Sequence, residues 1–116
     1  MINLLIRGLV VFDKLFLGVF KLGGGTEFKK LESGSANVNP GSIAATSRGT
    51  ATFALAGAAV GDTVCLTPPA GLHDDLLFVG ARVTAADTVT VYLYNPTGAP
   101  IDDASLAWDY LWFSKN

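Results

Sequence analysis

Residues 88–94 read Thr-Val-Thr-Val-Tyr-Leu-Tyr, an unbroken alternation that constrains the chain more than any other stretch. A period of two places Val89, Val91 and Leu93 on one face of an extended strand. It places Thr88, Thr90, Tyr92 and Tyr94 on the other. A helix, with 3.6 residues per turn, would scatter both sets around its surface. The preceding run alternates too, with Leu77, Val79, Ala81 and Val83 on one face and Phe78, Gly80, Arg82 and Thr84 on the other. Only Ala85-Ala86-Asp87 separates the two runs, so they are expected to pair as an antiparallel hairpin. After the turn signal Asn95-Pro96-Thr97-Gly98-Ala99-Pro100, a third strand is expected over Leu106–Phe113. Its Leu106, Trp108, Tyr110 and Trp112 share one face.

Upstream of the hairpin, the same punctuation recurs. Asn39-Pro40-Gly41 and Ser47-Arg48-Gly49 turn the chain around a short strand, Ser42–Thr46. Thr50–Ala56 and Asp62–Thr67 follow as strands, the second stopped by Pro68-Pro69 because proline cannot continue a ladder. About six strands spaced roughly 8–14 residues apart, with no helical period after residue 30, predict an all-β domain. The expected form is a small antiparallel β-sandwich or jelly-roll-like fold over residues 38–116.

Residues 1–22 differ in kind. Arg7, Lys14 and Lys21 recur every seven residues, and Ile2, Leu5, Ile6, Leu9, Phe16 and Phe20 fall mostly on the opposite side, as in an amphipathic helix. Gly8, Gly18 and the runs LVVF and LFLGVF fit two strands equally well. Asp13 and Lys14 interrupt the apolar run, which argues against a signal peptide. They also oppose a spanning helix, because each costs about 2.5–3.5 kcal/mol near the bilayer centre. The segment is therefore read as an anchor that packs against protein, with contact to a membrane surface as the alternative. Residues 23–37, opening on Gly23-Gly24-Gly25 and rich in Ser, Gly and Asn towards their end, are read as a linker.

Composition narrows the function. Only 16% of the 116 residues are charged and half are hydrophobic, an apolar balance that favours burial against copies of itself or a larger assembly. The net charge of −2 lacks the basic excess of a nucleic-acid binder. Five cations against three carboxylates give residues 1–36 a charge of +2; three against seven give residues 37–116 a charge of −4. The lone Cys65 has no internal disulfide partner and reads as an apolar strand residue. His73, the single histidine, stands beside Asp74 and Asp75 without further His or Cys ligands, so no metal or cofactor is expected. The aspartates are assigned mostly to turns, and no nucleophile elbow or phosphate loop is present, which predicts a protein that is not an enzyme.

Aromatic residues on both faces of the strands suggest a second burial surface. Tyr92, Tyr94, Trp108 and Trp112, with Leu5, Leu9, Phe12, Phe16 and Phe20 of the anchor, are the candidate interface residues. The alternative makes the tryptophans ordinary core and leaves the tyrosines half-exposed.

From NPGSIAA (39–45) through TATFALAGAAVGD (50–62), PPAGL (68–72), VGARVTAADTVTVYLYNPTG (79–98) and IDDASLAWDYL (101–111), the chain resembles a module of tailed-bacteriophage virion proteins. The resemblance covers about two thirds of the chain and excludes the apolar N-terminus. It implies a β-sandwich that acts as a homotrimer without enzymatic activity, in a head-decoration (cement) or fibre-type protein. The implied partner is the major capsid protein or another virion protein, and the implied location is the capsid surface. The alternatives are a fibre module binding a host receptor or carbohydrate through the same aromatics, and a membrane-associated structural protein held by residues 1–22.

Overall fold

A computed structural model describes residues 24–115. Among them the secondary structure is entirely β: eight strands, every pairing antiparallel, and no helix. The strands are β1 (Lys30–Val38), β2 (Gly41–Ile43), β3 (Ser47–Ala54), β4 (Thr63–Thr67), β5 (Leu77–Ala85), β6 (Thr88–Asn95), β7 (Ile101–Asp103) and β8 (Leu106–Ser114). They form three sheets of order β1-β8-β4, β2-β7 and β3-β6-β5. The helix-or-strand question over residues 1–22 lies outside the described residues.

The inner faces of the two three-stranded sheets supply one hydrophobic cluster. Val89, Val91 and Leu93 of β6 are fully buried, as their alternation predicts, and lie directly opposite Phe53, Ala51 and Gly49 of β3. Val38, Trp108 and Trp112 come from β1 and β8. Aromatic contacts join the two sheets: Phe78 meets Trp108 edge-on at 5.3 Å, and Phe53 stacks with Tyr110 at 6.0 Å.

Two expectations are corrected here. Residues 30–37, read as linker, are a strand paired with β8 along its whole length, Lys30 opposite Ser114 through Val38 opposite Leu106. The composition misled because its small residues serve packing. A Cβ on Gly34 would stand 2.7 Å from the Tyr110 hydroxyl, so only glycine lets that ring lie across the strand. Ser35 donates to Asp109 at 2.6 Å, which places the serine in a cross-strand pair. The second correction concerns β5. Alternation puts Leu77, Val79, Ala81 and Val83 on one face, yet Leu77 and Val79 are 52% and 63% exposed while Val83 is buried. A bulge between Phe78 and Gly80 sets one extra residue against β6, so the parity reverses. Phe78, Ala81 and Val83 then oppose Leu93, Val91 and Val89.

The turns follow local chemistry. Asn39 accepts from the Gly41 N–H at 3.1 Å, and Gly41 takes a φ of +66°. Asp87, at φ +60° in the β5–β6 hairpin, accepts from the Gly57 N–H at 2.7 Å and fastens the 57–62 loop to that hairpin. Gly49 has a stricter role: a Cβ there would come within 2.5 Å of Cγ1 of the buried Ile43. Gly49→Ala is expected to destabilise the fold by about 1–3 kcal/mol through overpacking, read as a lower urea midpoint at unchanged slope.

Candidate functional site

The two outward sheet faces carry different chemistry. On β1-β8-β4, cross-strand register places Leu31 beside Phe113, and Cys65 beside Leu111. Phe28 meets Phe113 edge-on at 5.5 Å and extends the same stripe. Leu31 is 53% and Leu111 41% exposed, and the Cys65 thiol is also on the surface. Apolar side chains therefore cross the sheet side by side, facing water, next to the point where the chain enters from its apolar N-terminal segment.

On β3-β6-β5, the outward face is aromatic and basic. Tyr92 stands between Thr50 of β3 and Gly80 of β5, and Tyr94 between Arg48 and Leu77. Arg82 lies opposite Thr90, so the two arginines flank Tyr92 diagonally from either side. The Arg82 guanidinium carbon is 5.2 Å from the Tyr92 ring centroid and that of Arg48 is 5.9 Å, both within cation–π range. Arg82 Nε donates to the Tyr92 hydroxyl at 3.3 Å. The face also carries the exposed Leu77 and Val79 and several threonines, of which Thr84 and Thr90 share a 2.7 Å hydrogen bond.

The sequence-derived site residues separate in space. Tyr92 and Tyr94 are half-buried on the outward face of β6, where alternation placed them. Trp108 and Trp112 are not surface groups: they are 0% and 3% exposed, on the inner face of β8. The Trp112 indole donates to Asp62 Oδ2 at 3.0 Å, and Ser114 donates to Asp62 Oδ1 at 2.7 Å, closing that end of the core. Leu5, Leu9, Phe12, Phe16 and Phe20 lie outside the described residues. Sequence reasoning missed Leu31, Leu111, Arg48 and Arg82. For the arginines the signal was present, since Arg48 and Arg82 occupy outward positions of the strands beside Tyr92.

His73 serves its loop: its Nδ1 accepts from the Asp75 N–H at 3.1 Å, and its own N–H donates to Asp103 at 2.8 Å. Among the described residues no three His, Cys, Asp or Glu side chains are grouped as metal ligands. Comparison with family models, with curated proteins and with solved structures finds no match.

Proposed function

We propose that this chain is a non-catalytic structural protein of a tailed-phage virion, a decoration or cement protein that trimerises and binds the major capsid shell. In this reading the two three-stranded sheets form a small β-sandwich, with β2 and β7 closing one end. The observation that carries the proposal is the outward apolar stripe of Phe28, Leu31, Leu111 and Phe113. Large aliphatic side chains aligned across neighbouring strands remain in water only at a cost of about 25 cal/mol per Å² of apolar area, which association would recover. The low charge of the chain and the virion-module resemblance support the same reading. The apolar segment 1–22 is the second contact proposed, either with symmetry mates or with the shell.

The test is co-sedimentation of the full chain with capsid shells that lack it. The native chain is expected to pellet with the shells, and a double variant, Leu31→Glu with Leu111→Glu, to remain in the supernatant. Both side chains point outward, so the variant should melt within a few degrees of the native protein. A native chain that stays in the supernatant, or a variant that pellets as well as the native chain, contradicts the proposal.

A further inference from the structure

The outward face of β3-β6-β5 contains an open cleft of about 300 Å³, lined by Arg48, Val79, Gly80, Ala81, Arg82 and Tyr92. Three features of its construction point to a ligand. First, both arginines of the described chain converge on it, in a segment whose charge is otherwise negative. Among the described residues neither guanidinium has a carboxylate at ion-pair distance. The aspartates with side-chain hydrogen bonds spend them elsewhere, on Ser35, Gly57, Ala59, His73, Ala104, Trp112 and Ser114. Arg82 uses only Nε on Tyr92, so its terminal N–H groups stay available. Both guanidinium groups line the same cleft beside Tyr92, and an oxyanion seated there would take charge-assisted hydrogen bonds from them and offset their positive charge.

Second, the space is made by the backbone. Gly80 faces Tyr92 across the strands, and a Cβ built on it meets nothing within 4 Å. The bulge that precedes it turns Val79 outward onto the rim, 63% exposed. Bulges recur where a sheet re-aims side chains around a site. Third, the lining is mixed. Val79 offers apolar contact that a free inorganic anion would not use, and the volume is that of a site for one small ring. An oxyanion carried on a ring with an apolar C–H face satisfies all three features.

We infer that Arg48, Arg82 and Tyr92 form a binding site for the carboxylate of an acidic sugar, seated over Gly80 and against Val79. The guanidinium groups take the carboxylate oxygens, and the ring lies along the apolar rim. The site is on the face opposite the Leu31–Leu111 stripe, so the inference does not rest on the assembly proposed above.

Titration calorimetry of the full chain with glucuronate and N-acetylneuraminate tests it, with N-acetylglucosamine and inorganic phosphate as the comparison probes. Saturable millimolar binding of at least one acidic sugar is expected, with both comparison probes weaker by about tenfold or more. Arg48→Ala and Arg82→Ala should each weaken it by about tenfold, the loss of one charge-assisted pair. Gly80→Val should abolish it by filling the cleft. Gly80 lies outside the left-handed region and its Cβ position is open, so melting of that variant should match the native chain. No binding of either acid, equal binding of phosphate, or equal binding of the neutral sugar would each overturn the inference. So would self-association that Arg48→Ala and Arg82→Ala abolish, because the occupant would then be a second copy of this chain.

Discussion

Trp108→Ala is expected to unfold this protein more readily than any other single truncation in its core, at a cost of about 3–5 kcal/mol. Trp108 is fully buried and packs edge-on against Phe78 at 5.3 Å, bridging the two three-stranded sheets. Roughly 200 Å² of apolar area at about 25 cal/mol per Å² accounts for about 5 kcal/mol of lost burial. One effect opposes this. Among the described residues the indole Nε1 has no hydrogen-bond partner, and removing an unsatisfied buried donor returns about 1–3 kcal/mol. Burial and the residual cavity outweigh that return. The same reasoning separates Trp108→Phe from Trp108→Ala: phenylalanine keeps most of the ring contact and drops the orphan N–H. Its cost should stay below about 1.5 kcal/mol. Thermal unfolding of the three proteins checks the order, with a drop on the order of 20 °C for alanine and a small shift for phenylalanine. Equal losses would mean that the ring contact with Phe78 is not what holds the sheets together.

The second large effect is expected at Asn95, a polar residue with no exposed surface. Its amide donates to the carbonyls of Ile43 (3.0 Å), Ala44 (3.2 Å) and Ala99 (2.8 Å). Its Oδ1 accepts from the Thr97 N–H at 2.9 Å and from the Thr97 hydroxyl at 2.7 Å. One side chain thereby ties the end of β6 to the β2–β3 connection and to the turn that leads into β7. Asn95→Ala leaves those carbonyls and the Thr97 N–H to find water or go unpaired. At about 1–3 kcal/mol for each group left unsatisfied, and with water reaching the partly buried ones, a net cost of about 3–4 kcal/mol follows. Asn95→Asp preserves shape but turns a carboxylate oxygen towards three carbonyl oxygens, so it should cost at least as much at neutral pH. Urea unfolding measures both. An Asn95→Asp protein as stable as the native chain would show that shape, rather than donation to the carbonyls, is what the site requires.

What the sequence disclosed, and what it hid, divides along physical lines. Alternation in β6 disclosed its inner face because that central strand is paired on both sides without an insertion. The same alternation failed in β5, where one extra residue at Val79-Gly80 reverses parity and leaves no trace in the pattern of apolar residues. β1 was hidden because Gly34 and Ser35 have poor strand propensity in isolation. Their presence reflects the closeness of Tyr110 and a hydrogen bond to Asp109, neither of which is local in sequence. Trp108 and Trp112 are frequent types both in cores and at interfaces, and only the pairing of β8 with β1 and β4 shows which side they occupy. The outward site was half legible: alternation placed Tyr92 and Tyr94, while the convergence of Arg48 and Arg82 on Tyr92 depends on the order β3-β6-β5.

That order also separates two surfaces, the apolar stripe proposed for assembly on one sheet and the basic, aromatic cleft on the other. Trimeric assembly is proposed for the full chain, and light scattering reads its mass in solution. A mass three times the chain's 12.1 kDa is expected across a wide concentration range, collapsing to 12.1 kDa in the Leu31→Glu, Leu111→Glu variant. A native protein of 12.1 kDa at every concentration, or a variant that keeps the native mass, would contradict it.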